Sequence, residues 1–227
     1  MGGTPIADIP RKQPKLPRAA PTTDERLLAE DGHEFVAGVD EAGAGALAGP
    51  VVAGAVVIPL HVRIPHLTDS KLLTPAVREQ LYDQIHAHAV ASATALCAPD
   101  LIDRINILQA RLEAMKLAVE ALSCPVDFVL IDGHVLLPLD LPSRAVIGGD
   151  RRCRVIAAAS IIAKVTRDRI MVELDATYPA YGFAEHKGYG TPQHLEAIAE
   201  HGPCPVHRMT FAPMRHLAQQ TLDFDAE

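Results

Sequence analysis

Asp40-Glu41-Ala42-Gly43-Ala44-Gly45-Ala46-Leu47-Ala48-Gly49-Pro50 is the stretch on which the reading of this chain turns. Before it, Phe35 to Asp40 is short, apolar and able to form a strand; after it, Val51 to Ile58 is rich in β-branched residues and stops at Pro59. Two strands therefore flank a glycine-rich turn, with two adjacent carboxylates where the first strand gives way to it. Neighbouring side chains of a regular strand face opposite sides, so Asp40 and Glu41 are expected to serve one centre only where the strand ends and bends. Glycine immediately downstream permits that bend.

Two chemistries compete for this stretch. Gly43-x-Gly45-x-x-Ala48 has the outline of a dinucleotide fingerprint, with Asp69 lying 24 residues after Gly45. That fingerprint needs a helix to start at the glycines, so that its N-terminus meets the pyrophosphate. Pro50 and the β-branched run after it predict a strand instead, and an acidic pair ahead of the loop would repel phosphates. The other chemistry is metal-dependent phosphodiester hydrolysis. Hard oxygen ligands at strand ends hold Mg²⁺ or Mn²⁺, and the amides of a glycine loop contact a sugar-phosphate backbone. Further carboxylates are then required. Asp132, at the end of an apolar strand over Val126 to Ile131, and Asp150, just before a long helix, are suitably placed.

Outward from this stretch the pattern is α/β. Thr23 with Asp24 and Glu25 opens a short helix closed near Gly32. Pro75 to His88 reads as a helix, Val90 to Cys97 as a third strand, and Asp103 to Leu122 repeats apolar residues at helical spacing. A fifth strand is expected at Arg144 to Ile147, then an Ala-rich helix from Arg154 to about Thr177, with Ser160 and Lys164 on one face. Shorter helices at Pro192 to His201 and Pro213 to Thr221 form a C-terminal appendage. The order implies a mixed sheet with helices on its faces. Residues 1–22 read as a mobile, basic, Pro-rich tail, residues 23–212 as one catalytic domain, and residues 213–227 as a terminal helix with an acidic tail.

Composition narrows the function. The chain has 227 residues, 48% hydrophobic and 22% charged, enough for one domain with a substantial core. With 4% aromatic residues and no Trp, a lattice of base-stacking platforms is excluded. The net charge of -7 argues against a general nucleic-acid coating protein, yet Asp150 to Gln220 holds nine Lys/Arg against seven Asp/Glu, so a locally basic face is compatible with it. The four cysteines show no C-x-x-C pair, which suits reduced thiols in the cytoplasm. Cys204 and His207 form half of a zinc pattern without a matching second pair. No apolar run reaches membrane-spanning length.

Taken together, several segments resemble the bacterial ribonuclease HII (type 2 ribonuclease H) family. They are Gly38-Val39-Asp40-Glu41-Ala42-Gly43 through Gly49-Pro50, Asp69-Ser70-Lys71-Leu72, Ile105-Asn106-Ile107-Leu108-Gln109-Ala110, Ile131-Asp132-Gly133, Gly149-Asp150, Ala157 to Asp168, Tyr181-Gly182-Phe183, His186-Lys187-Gly188-Tyr189-Gly190-Thr191 and His207-Arg208. The resemblance covers about residues 34 to 216. It implies an RNase H-like fold with a five-stranded mixed sheet. It implies Asp40, Glu41, Asp132 and Asp150 as catalytic, metal-binding carboxylates for two Mg²⁺ or Mn²⁺ ions. It implies a monomer that cuts RNA–DNA hybrids, and single ribonucleotides in duplex DNA, on their 5′ side, leaving 3′-hydroxyl and 5′-phosphate ends.

Substrate contacts follow in the same way. The loop at Gly43, Ala44 and Gly45 is expected to probe the ribose 2′-hydroxyl with its main chain, and Tyr189 to stack on the neighbouring sugar. Lys71, Asn106 and Lys164 are candidate phosphate contacts. The family reads Gly-Arg-Gly in that loop where this chain has Gly43-Ala44-Gly45, so weaker binding or slower cleavage is expected. A catalytically silent nucleic-acid binder of the same fold is the alternative, although it would not need all four carboxylates. His186 and His207 are read as structural, and Arg208 as either a brace or a phosphate contact. Beyond the matched region, Gln219, Leu222 and Phe224 have the Gln-x-x-Leu-x-Phe form of peptides that dock on DNA sliding clamps.

Overall fold

The two strands around the glycine turn build the centre of the sheet. β1 (Val36–Ala42) pairs antiparallel with β2 (Val51–Val57), from Ala37 opposite Val57 to Ala42 opposite Val52. β3 (Ala91–Cys97) adds antiparallel to the outer side of β2. On the other side, β4 (Phe128–Asp132) runs parallel to β1, and β5 (Ser143–Val146) parallel to β4. The order β3-β2-β1-β4-β5 is the mixed five-stranded sheet that the sequence implies. The computed structural model describes residues 17–215; most of the basic tail, the greater part of the helix expected at Pro213 to Thr221, and Gln219, Leu222 and Phe224 lie outside them.

Helices cover both faces. On one lie α1 (Thr23–Glu30), α2 (Pro75–His88) and α5 (Arg154–Thr177), burying Leu28, Leu81, Ile85, Val155, Ile161 and Ile162 with Val56 and Leu130 of the sheet. On the other, α3 (Pro99–Glu120) packs Ile102, Ala110 and Met115 against Val39, Ala53, Ala55 and Ile131. Full burial of each large aliphatic side chain stabilises the fold by about 1.5–3 kcal/mol. Because strand side chains alternate, Val39 faces α3 while Gly38 faces α5.

α5 lies unusually close to the sheet. A Cβ on Gly38 would fall 2.2 Å from the Val155 carbonyl carbon, and one on Gly54 would fall 2.6 Å from the Ala159 carbonyl oxygen. Glycine in the strands and alanine at 157 to 159 are what let helix and sheet backbones approach this far. The short α4 (Gly149–Arg152) precedes α5, and α6 (Phe183–His186) with α7 (Pro192–His201) forms the C-terminal layer over Ala48, Met171, Tyr181 and Phe183. No helix among the described residues is long and apolar enough to cross a membrane.

Two expectations need correction. The helix expected from Asp103 begins at Pro99 and breaks at Asn106, whose φ of 66° and ψ of 164° are not helical. The Asn106 Oδ1 then accepts from the Gln109 amide at 3.1 Å, restarting the helix as an N-cap does. Apolar periodicity runs through both halves and conceals the break. The bend expected at Asp40-Glu41 is also absent, since β1 stays paired with β2 as far as Ala42.

Candidate active site

What brings Asp40 and Glu41 to one place is a notch in the sheet rather than a bend. Pairing between β1 and β4 ends at Val39 opposite Ile131, while β1 continues alongside β2 to Ala42. The side of β1 towards β4 is therefore open past Val39, and Asp132, the last residue of β4, stands at the edge of that opening. By strand alternation Asp40 stands on the α5 face and Glu41 on the α3 face. Asp40 is buried, and its Oδ1 accepts from the Glu41 amide at 2.7 Å. Asp132 Oδ1 accepts from the Gly149 amide at 2.7 Å, which draws the next residue, Asp150, towards the same end of the sheet.

Electrostatics report how near these carboxyls are. Burial, then the charges of Glu41 and Asp132, hold Asp40 well above the usual carboxylate range. Burial raises Glu41 as well, against the opposing charge of Arg111. Asp150 is pushed up to about 6 by burial and by the charges of Asp69 and Asp132. Lys71 stands among them: burial disfavours its charge, but Asp40, Asp69, Asp150 and Asp132 outweigh it and raise its pKa. Asp69 is thus a fifth acid of the centre; it caps the turn Ser70–Leu72 by accepting from the Lys71 amide at 2.9 Å.

Among the described residues, no three His, Cys, Asp or Glu side chains are closed around a common point for a cation. Three of the acids are instead held by partners within the chain: Asp40 by the Glu41 amide, Asp132 by the Gly149 amide and Glu41 by Arg111. The donor set still suits Mg²⁺ or Mn²⁺, which take carboxylate oxygens. Glu41 Oε2 adds a specific sign, being buried without any hydrogen-bond partner. Such an oxygen is costly unless a cation or polar group meets it.

Beside the acids is a cavity of about 250 Å³ lined by Asp40, Glu41, the loop 42–45, Ser70, Lys71, Ser160, Lys164 and Tyr189. It gathers most of the residues singled out from the sequence, Gly43, Ala44 and Gly45 included. Asn106 does not line it; the side chain is exposed and caps α3. Ser160 Oγ donates to Ser70 Oγ at 2.8 Å, fastening α5 to the Lys71 turn. Lys164 lies 5.6 Å and Arg167 5.3 Å from the centroid of the Tyr189 ring, two cations at one aromatic ring. A wider groove of about 670 Å³, holding Arg78, Arg169 and Lys187, adjoins the cavity at Lys164.

Two buried arginines shape the glycine loop; the sequence leaves Arg208 open between a brace and a phosphate contact and assigns Arg167 no role. Arg208, 0% exposed, donates to the carbonyls of Gly43 at 2.8 Å, Ala44 at 2.9 Å and Gly49 at 2.9 and 3.1 Å. It is a brace. Arg167, also 0% exposed, donates to Pro50 and Ala48 of that loop and to Lys187 beside Tyr189.

Behind Tyr189 the imidazoles form a relay. The Cys204 amide donates to His207 Nδ1 at 2.9 Å, and the two Nε2 atoms of His207 and His194 are 3.1 Å apart. His194 Nδ1 is 3.0 Å from the Tyr189 carbonyl. One tautomer set satisfies every link: His207 donates to His194, and His194 donates to Tyr189. His186 accepts from the Gly188 amide and contacts the Tyr181 carbonyl at 2.8 Å. These histidines are structural, as expected, and Cys204 lies against His207 at 3.1 Å without metal-like company.

Comparison with known proteins agrees with this geometry. The family model for ribonuclease HII matches residues 37–214. The ribonuclease HII of Geobacter metallireducens is 52% identical over 197 residues, covering 86% of this chain and 92% of the relative. That of Geobacter sp. strain M21 is 56% identical over 201 residues, covering 86% and 87%. Among solved structures, the ribonuclease H2 of Pyrococcus horikoshii superposes with a TM-score of 0.67 at 28% identity, covering 82% of this chain and 98% of that one. The RNase HII of Archaeoglobus fulgidus, solved in complex with PCNA, gives 0.65 at 26% identity, covering 78% and 95%. On the family match over residues 37–214 and these identities, this chain belongs to the ribonuclease HII family and is a ribonuclease H endonuclease.

Proposed function

We propose that this chain hydrolyses the phosphodiester on the 5′ side of a ribonucleotide, in RNA–DNA hybrids and in duplex DNA carrying a single ribonucleotide, leaving 3′-hydroxyl and 5′-phosphate ends. The observation that carries the reading is the single cavity in which Asp40 and Glu41 meet the glycine loop, Lys71, Lys164 and Tyr189. Residues 23–212 form the catalytic unit, acting as a cytoplasmic monomer with its cysteines reduced.

Asp40, Glu41, Asp132 and Asp150 would hold two divalent ions, Mg²⁺ or Mn²⁺, with side-chain rotations bringing their oxygens together. Such ions supply a low-pKa water and neutralise the charge that builds on the phosphate. The chain's own groups do the rest. Lys71 and Lys164 offer cations to the scissile strand, and Asn106 offers an amide at the start of the second half of α3. The main chain of Gly43, Ala44 and Gly45 reads the 2′-hydroxyl, the group that separates ribose from deoxyribose. Arg208 holds the Gly43 and Ala44 carbonyls, so this readout persists although Ala44 brings no guanidinium of its own. Tyr189, 36% exposed, offers its ring to the adjoining sugar.

The test is digestion of an end-labelled duplex carrying one ribonucleotide, with Mg²⁺, with Mn²⁺ and with chelator. A cut on the 5′ side that needs the ion is expected; a cut on the 3′ side, or one indifferent to chelator, overturns the reading. We further propose that Gln219, Leu222 and Phe224 dock on a DNA sliding clamp, a reading supported by the PCNA complex of the Archaeoglobus relative. A chain ending at residue 218 is expected to lose clamp pull-down, and unchanged capture refutes it.

A further inference from the structure

One cation stands at the acidic centre that neither the sequence reading nor the proposed chemistry uses. Arg111 of α3 places Nη1 3.2 Å from Glu41 Oε1, with the two side chains 22% and 12% exposed. Its Nη2 lies 3.4 Å from where a Cβ on Gly133 would sit, so the guanidinium spans from Glu41 to the residue after Asp132. The pair is one-sided: Glu41 Oε2 and Arg111 Nε are both buried without hydrogen-bond partners. Arg111 thus takes one oxygen of Glu41 and leaves the other, and its charge faces the acids from the α3 side while Lys71 faces them from the other.

We propose that Arg111 is an internal counter-ion of the carboxylate centre, a positioning residue that holds Glu41 and competes with divalent cations for it. The proposal rests on the reading of Asp40, Glu41, Asp132 and Asp150 as the ion-binding set. A fixed positive charge within several ångströms of a divalent ion opposes its binding, and in a partly buried site this is worth about fivefold to tenfold in affinity. The same charge offsets mutual repulsion of the acids when no ion is bound. Arg111 therefore lowers ion affinity and raises the stability of the ion-free protein.

The experiment measures Mn²⁺ affinity from the free-ion EPR signal, and thermal unfolding with chelator and with saturating Mn²⁺. It uses the full chain and its R111Q, R111M, R111K and D132N variants. R111Q and R111M are expected to bind Mn²⁺ about fivefold to tenfold more tightly than the parent, to unfold at lower temperature in chelator, and to gain more from the ion. R111K is expected to stay within about twofold of the parent. Equal or weaker Mn²⁺ binding by both charge-free variants overturns the proposal, since a purely orienting role for Arg111 predicts that result. D132N separates the two readings: if it binds Mn²⁺ as the parent does, the four-carboxylate centre itself is wrong.

Discussion

Two clusters of titratable side chains lie within this domain, and they handle burial in opposite ways. At the sheet's open notch, acids crowd together and the pKa values of Asp40, Glu41 and Asp150 rise, with Glu41 Oε2 left buried and unpartnered. Behind Tyr189, imidazoles crowd together and the pKa values of His194 and His207 fall, yet the relay from Cys204 through His207 and His194 to the Tyr189 carbonyl leaves each link paired. Neutral imidazole is both donor and acceptor, so a closed chain can satisfy it; carboxylates only accept, so a group of them needs cations from elsewhere. The cluster that cannot satisfy itself is the one suited to chemistry, and the one that can is suited to support.

The largest effect that would sharpen this contrast is on turnover. Asp40→Asn is expected to lower cleavage of a single-ribonucleotide duplex by about 10³-fold or more. His194→Gln, by contrast, is expected to keep cleavage within about tenfold while lowering stability by about 1–3 kcal/mol, because it breaks a buried relay. Equal losses of rate in the two variants would erase the distinction. Next comes the response to ions: saturating Mn²⁺ is expected to raise the melting temperature of the parent and of His194→Gln by several degrees, and that of Asp40→Asn by far less. Differential scanning fluorimetry decides this.

The clusters should also answer pH with opposite signs when ions are removed by chelator. His194 has its pKa lowered to about 4 by burial, so its contribution to stability is present above its ordinary 6.5 and is lost as pH falls from there through about 4. Asp150, raised to about 6 from 3.8, contributes stability below 3.8 that is lost as pH rises through about 6. Denaturant titrations between pH 4 and 7 should therefore show Asp150→Asn removing a loss that appears on raising the pH, and His194→Gln removing one that appears on lowering it. The smallest expected effect is at the loop: Ala44→Arg should improve KM or kcat on the single-ribonucleotide duplex by roughly two- to tenfold, the worth of one added charged contact. No gain would mean that the main-chain contacts suffice.

How much of this was legible in the residues differs between regions for physical reasons. The strand-turn-strand around Gly43 and the Ala-rich α5 follow from local pattern, because β-branched runs and helical spacing act within a few residues of themselves; the strand order β3-β2-β1-β4-β5 depends on distant pairings and does not. Asp132 and Asp150 were placed by their position at element ends. The notch that unites Asp40 with Glu41 was not legible, since it depends on where β4 stops pairing with β1. Arg111 and Arg167 are silent, and Arg208 is left open between brace and phosphate contact, for a related reason: a lone arginine gives no local sign of whether it meets solvent, a carboxylate or a carbonyl 165 positions away, as Arg208 does. The break at Asn106 hid beneath uninterrupted periodicity, although Asn is a residue that tolerates its positive φ.

The grip of Arg208 on Gly43, Ala44 and Gly49 has a consequence for the order in which a working enzyme comes into being. The segment that fastens the glycine loop is translated long after the loop itself, so a nascent chain carries Asp40 and Glu41 well before it carries a braced loop. Until the ribosome has released Arg208, three carbonyls of that loop lack their donor, and the loop has to wait for this later segment before it is held.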